Sequence, residues 1–344
     1  MIAYIIMYCA VLFGVFNHKS TKTGYFVWAV LLFFSVFRGE NVGTDTQNYT
    51  SFEYSAFRAE KGFEVTSSSS MEVLTNAIFR IVESGANPRI IISFFSVVTF
   101  VFLLLLSKRA KINLSFLMMV FLLGGGYIYS FNIARQWAAI AVAAYAITYV
   151  YETNFKRSLL FFPFIVLAGS IHFVAIFYSV TFLFRFIKLK YPIAIIALIS
   201  GFVLSLFVNF NLNGSVLGVF GSYLETYGDL MSVKEERNLM GRIVSLYFIA
   251  LYAFMMVKMD KIGIGYLIPI MLICTLIGLF TNQMDSIIRR FFMFFNFINS
   301  VVLAKYFSSD KSHQLLLCAY LVIATYLFFS SGINDLYTFT FDIF

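Results

Sequence analysis

The chain has 344 residues, of which 60% are hydrophobic, 19% aromatic and 12% charged, with a formal net charge of +8 and a mean hydropathy of +0.86. That apolar share far exceeds the share in an ordinary soluble domain, so the class is a polytopic membrane protein. A basic nucleic-acid-binding domain is excluded.

The first apolar run, "MIAYIIMYCAVLFGVF", has no basic segment before it and no small-residue cleavage site after it. It reads as a retained helix, so the protein is expected to begin in the bilayer. Eleven further apolar segments follow, near residues 24–37, 90–107, 112–130, 133–150, 158–170, 172–187, 191–210, 241–257, 264–283, 289–305 and 314–331. The fold class is therefore an all-α polytopic integral membrane protein of about twelve transmembrane helices, one membrane domain over residues 1–344. Several segments fall short of the roughly 20 residues of a perpendicular span, so tilted, broken or half-crossing helices are expected around residues 158–187. Two connections are long, residues 38–89 and 211–240, and each reads as a loop carrying short amphipathic helices.

Orientation follows from the lysines. The loops "NHKSTKTG", "SKRAK", "ETNFKRS", "FRFIKLK", "VKMDKIG" and "KYFSSDKSH" alternate with the helices and hold 11 lysines and 3 arginines against the acids Glu152, Asp260 and Asp310. Short cytoplasmic loops accumulate such charges, which places both termini and both long loops on the outer, periplasmic face of an inner membrane. The outer side then carries nine arginines but only two lysines. A planar guanidinium donates two parallel hydrogen bonds to phosphate and stays charged at low dielectric, so this excess points to an anionic ligand. Snorkelling and pairing with acids are the structural alternatives for each arginine singly.

Taken in chain order, the polar constellations begin with "FRGENVGTDTQNYTSFEYSAF", residues 37–57, which sets Arg38, Glu40, Asp45 and Glu53 among aromatics at the end of the second helix. Next, Asn132, Arg135 and Gln136 stand at i, i+3 and i+4, which on one continuous helix is one face. That patch reads as a ligand grip or as inter-helix hydrogen bonding. His172, in "AGSIHFVA", lies between two short apolar segments. A neutral imidazole there could accept a proton from a sugar hydroxyl, or donate to a backbone carbonyl freed by a helix break. The second long loop offers Tyr223, Glu225, Tyr227, Asp229, Arg237 and Arg242, the composition of a sugar-binding lid or of a solvated amphipathic helix. Asp285 precedes Arg289 by four residues, the favourable register for an ion pair, yet one carboxylate cannot occupy both Arg289 and Arg290. Cys9, Cys274 and Cys318 lie in apolar runs, form no C-x-x-C pair and read as packing residues.

No D-x-D pair, histidine cluster, G-x-S-x-G elbow or phosphate-binding P-loop occurs in the sequence, which disfavours metal catalysis and ATP hydrolysis. No cofactor is expected.

The elements Phe37-Arg38, Val42-Gly43-Thr44-Asp45 and Tyr49, then Asn132 with Arg135-Gln136, then Ala168, His172 and Ala175, then Arg289-Arg290 followed by two phenylalanines, occur in an order and spacing that resembles the EpsG-like family of bacterial polysaccharide polymerases. That family is similar to the Wzy O-antigen polymerases, and the resemblance runs over roughly residues 30–310. It implies a GT-C-like membrane glycosyltransferase fold with outer-face loops. It also implies an activity: joining oligosaccharide repeat units carried on undecaprenyl diphosphate, at the outer leaflet, for O-antigen or capsular polysaccharide. Under that resemblance Arg135 with Arg289 or Arg290 would clamp the donor diphosphate, and Arg38 would support the site or hold the acceptor diphosphate. His172 or Asp45 would serve as base or orient the acceptor, while Asn132, Gln136, Tyr49, Tyr223 and Arg242 would contact substrate. The implied partners are lipid-linked oligosaccharides, membrane lipids and a chain-length regulator protein. A flippase of lipid-linked oligosaccharide and an O-antigen ligase are the rival functions.

Overall fold

The computed structural model describes residues 2–39, 41–43, 46, 72–207, 239–281, 286–309 and 314–329. Among these the chain forms fourteen α-helices and two 3-10 segments, with no strand. The helices are α1 (Ile2–Phe16), α2 (Thr21–Val36), α3 (Val73–Glu83), α4 (Arg89–Ala110), α5 (Leu114–Leu123), α6 (Gly126–Asn132), α7 (Ala134–Ile147), α8 (Phe155–Ser158), α9 (Phe161–Ile171), α10 (Tyr191–Phe207), α11 (Leu239–Lys261), α12 (Ile268–Thr281), α13 (Ser286–Ser309) and α14 (Gln314–Leu327). The 3-10 segments are Phe173–Phe186 and Gly265–Leu267.

Every apolar segment read from the sequence coincides with helical structure, but two differ in kind. The run at 112–130 is two helices, α5 and α6, bent by 59°. Gly125 forms the corner at φ 80°, a left-handed conformation that glycine adopts without the Cβ penalty. The run at 172–187 is a long 3-10 segment, the broken geometry expected between 158 and 187. Among the described residues, α4 alone is long and apolar enough by length and composition to cross a membrane, and the α5–α6 pair makes a second if counted together.

The chain separates into two compact units, Met1–Arg185 with Leu303–Phe344, and Phe186–Val302. In the first, α7 packs against both α4 and α9, while α2, α4 and α1 gather around α5 and its neighbours. Alanines fill α7, where Ala138, Ala139, Ala141, Ala143, Ala144 and Ala146 are all buried and let α4 and α9 approach closely. In the second unit α10 packs on α11 and α12. Asn299 of α13 meets the Thr275 hydroxyl of α12 at 2.9 Å, a polar tie of the kind that links apolar helices.

Loops assigned to one side by their lysines do meet at one end of the first unit. The Lys305 ammonium donates to the Ala110 carbonyl at 2.8 Å, and the Asn113 amide donates to the His18 carbonyl at 2.7 Å. Arg109 pairs with Glu152 and lies 3.6 Å from the Tyr149 ring centroid. Arg185 donates to the carbonyls of Val150 and Glu152. The cysteines do not all pack as expected: Cys274 is buried, but Cys9 and Cys318 are exposed.

Candidate functional site

At the opposite end of α4, α7 and α9, two side chains and one backbone N–H converge on one carboxylate. Glu72 stands at the N-cap of α3, inside the first long loop, and is buried at 7% exposure. Its Oε1 accepts from His172 Nδ1 at 2.7 Å and from the Phe173 backbone N–H at 3.1 Å. Its Oε2 accepts from Arg135 Nη1 at 3.0 Å. Burial pushes the Glu72 pKa up, but the His172 hydrogen bond, the charges of His172 and Arg135 and the Phe173 N–H together outweigh it and hold the carboxyl below its ordinary range.

Each partner owes its position to a break in a helix. The α9 helix ends where His172 turns extended, at φ −149° and ψ 117°, while its N–H still bonds the Ala168 carbonyl at 2.9 Å. The 3-10 segment begins at the next residue, so the Phe173 N–H is available to the Glu72 carboxylate. Arg135 lies in the first turn of α7, just after Ile133 interrupts the helix with φ −137°. The α3 helix is moored beside this break by Thr75, whose hydroxyl donates to the Ile171 carbonyl at 2.6 Å.

The Ile133 break corrects one sequence expectation. Asn132 is the last residue of α6, whereas Arg135 and Gln136 belong to α7, so the three do not share one helix face. Gln136 is buried and hydrogen-bonded to the Tyr178 side chain from the 3-10 segment. His172 departs from its structural alternative: its Nδ1 meets a carboxylate instead of a freed carbonyl, and Nε2 has no hydrogen-bond partner among the described residues.

Arg38 is 1% exposed, and its Nη1 and Nε donate to protein oxygens. Its Nη1 donates to the Ser35 carbonyl at 2.8 Å and to Ser96 Oγ at 3.2 Å, its Nε donates to Thr46 Oγ1 at 3.2 Å, and its guanidinium lies 4.8 Å from the Phe131 ring centroid. Thr46 in turn donates to the Val42 carbonyl at 2.6 Å. Gly43, at φ 90°, packs so closely that a Cβ there would lie 2.5 Å from the Phe131 carbonyl oxygen. The described part of the Arg38 to Thr46 motif is thus a clasp on α6, next to the Ile133 break.

Asp45, Tyr49 and Tyr223 lie outside the described residues. Arg242, Arg289 and Arg290 fall on α11 and α13, and their side chains also lie outside the description. Glu72 was not anticipated from the sequence. The signal that could have found it is a lone acid after four serines at the start of an amphipathic helix, but nothing local ties it to a histidine 100 residues away.

A sequence model of the EpsG family matches residues 21–341 of the chain. The chain belongs to the EpsG family. The match extends beyond the 30–310 span that carries the sequence motifs, and this EpsG-family chain therefore presents Arg38, Arg135 and His172 within one matched region. Searches of curated proteins and of solved structures returned no match. Family, composition and all-helical fold together support a membrane protein of polysaccharide biosynthesis.

Proposed function

We propose that this EpsG-family protein polymerises oligosaccharide repeat units carried on undecaprenyl diphosphate, transferring the growing glycan onto a new lipid-linked unit. The observation that carries the reading is the meeting of Arg135 and His172 on one carboxylate, at 3.0 and 2.7 Å. An anion-binding group and a base within reach of each other are what such a transfer requires. The donor already has a good leaving group, so the task is to position an acceptor hydroxyl, accept its proton and neutralise the departing diphosphate.

In this scheme the acceptor hydroxyl attacks the anomeric carbon of the donor glycan while the bond to the diphosphate breaks. The hydroxyl proton passes to Nε2 of His172, and undecaprenyl diphosphate leaves with its charge offset by Arg135. Arg289 or Arg290 completes the donor clamp, Asp45 orients the acceptor, and Asn132, Gln136, Tyr49, Tyr223 and Arg242 contact sugar. Arg38 supports the site by fixing α6. The reaction is placed on the periplasmic face of the inner membrane, in a GT-C-like fold, with a chain-length regulator as partner. A flippase needs charged groups reachable alternately from both sides, whereas the Arg135–Glu72–His172 cluster sits at the end of the first unit opposite the lysine-bearing loops.

The test is complementation of a deletion strain. Arg135→Ala should abolish chain elongation, leaving a single repeat unit on the final acceptor while protein levels stay normal. Normal long chains in that strain would sink the assignment. Polymer retained on the lipid carrier would instead indicate a ligase, and single units trapped inside would indicate a flippase.

A further inference from the structure

We infer that Glu72 is the positioning residue that presets His172 as a base, fixing its tautomer and orientation and binding the anion-holding Arg135 to the same carboxylate. The inference rests on the reading of His172 as the proton acceptor, and it concerns a residue that no motif in the sequence marks.

The geometry leaves little freedom. An ionised carboxylate only accepts hydrogen bonds, so the 2.7 Å contact requires the proton on Nδ1 and leaves Nε2 with its lone pair. Oε1 is itself held by the Phe173 N–H at 3.1 Å, so the acceptor that orients the ring is anchored to the residue following the histidine. Thr75 pins the other side of the junction through the Ile171 carbonyl, one residue before it. The base is bracketed on both flanks by the first four residues of the α3 region. Oε2 meanwhile holds Arg135, so the distance between the base and the guanidinium is set by the span of one carboxyl group.

Charge adds a second effect. A carboxylate on Nδ1–H stabilises the imidazolium that forms when Nε2 takes a proton, the logic of acid–histidine pairs on unrelated folds. Among the described residues, Glu72 touches the ring and Arg135 shares its carboxylate. Among other titratable groups on the elements packed around it, Tyr178 is engaged by Gln136, Arg80 is exposed on α3, and Tyr145 and Arg185 stand near the far ends of α7 and the 3-10 segment. Burial would favour protonated Glu72, but the hydrogen bonds from His172 and the Phe173 N–H and the charge of Arg135 keep it ionised at neutral pH.

The experiment uses full-length protein in nanodiscs with 15N-labelled histidine, in a background with His18 and His313 replaced by Gln so that one imidazole remains. The wild-type ring should show a protonated Nδ1 and an unprotonated Nε2. In Glu72→Gln the preference for the Nδ1-protonated tautomer should weaken, because a neutral amide can donate as well as accept. With synthetic lipid-linked repeat units, the plateau of the polymerisation rate should drop by at least about tenfold within the roughly 10²–10⁴ that a general base contributes. Glu72→Asp, which keeps the charge, should restore part of both. A tautomer ratio unchanged in Glu72→Gln, or a wild-type ring protonated on Nε2, would overturn the inference. The spectroscopic arm needs no turnover. If it succeeds while Arg135→Ala and His172→Ala strains still make long chains, the polymerase reading fails and the positioning role stands.

Discussion

Arg38 and Arg135 are both arginines of the side predicted to face outward, yet their surroundings give them opposite work. Arg38 is sealed among Ser35, Ser96, Thr46 and Phe131, whereas the Arg135 side chain keeps 24% exposure beside Glu72. Arg38→Lys preserves the charge but not the planar fork, and should cost about 2–3 kcal/mol, the scale of hydrogen bonds to a charged group. The measurement is the thermal unfolding midpoint in detergent, which should fall clearly. A ligand-binding role would instead lower turnover and leave the midpoint where it was. Glu72 supplies a pH-dependent counterpart. Its folded pKa lies below the ordinary value of 4.5, so its contribution to stability is fully present above about that pH and disappears as the pH falls through the depressed value. Unfolding midpoints should therefore drop in acid, and Glu72→Gln should flatten that dependence.

At the level of elements, the sequence carried the helices better than their interruptions. Apolar runs located α1, α2, α4 and α7 within a few residues, because burial in lipid or protein demands continuous apolar stretches. The α5–α6 corner was hidden, since "FLLGGGYIYSF" stays apolar through the bend and only its glycines hint at it. The Ile133 break was hidden too, as an isoleucine gives no local reason to stop a helix. What ends it is tertiary: Phe131 is clasped by Gly43 and Arg38 just before it. Gly43→Ala would force a side chain into φ 90° and against the Phe131 carbonyl, a strain of about 1–3 kcal/mol or more. Folded protein recovered from membranes should fall accordingly. The short α3 helix makes a gentler test: Thr75→Val leaves the buried Ile171 carbonyl without its donor, at about 1–3 kcal/mol. Turnover should decline with stability, and Thr75→Ser should recover both.

Across the whole molecule, lysine distribution carried real structural information. The loops at residues 107–111, 152–158 and 305–313 and the one carrying Arg185 were grouped by charge alone, and in the first unit Arg109 and Arg185 both meet Glu152 while Lys305 bonds the Ala110 carbonyl. The candidate site was legible in its cationic half, Arg135 and His172, because such residues are rare in an apolar chain and declare themselves. Its anionic half was not, since Glu72 sits among ordinary loop acids and its meaning lies in a contact spanning 100 positions. The orientation itself is open to direct measurement. In a background lacking Cys9, Cys274 and Cys318, a cysteine at Ser84 should react with a membrane-impermeant maleimide in intact cells, and one at Lys156 only in opened cells. The reverse pattern would invert the topology and move the proposed site to the cytoplasm.

The start of α3, the start of α7 and the junction of α9 with its 3-10 continuation all lie beside Glu72. Helix ends are where peptide groups lack ladder partners, and in a hydrocarbon setting every such group is a solvation penalty. Gathering these three ends at one point lets a single carboxylate and its partners offset part of that penalty together. A charged headgroup reaching this point would meet oriented dipoles that offset part of its own loss of water.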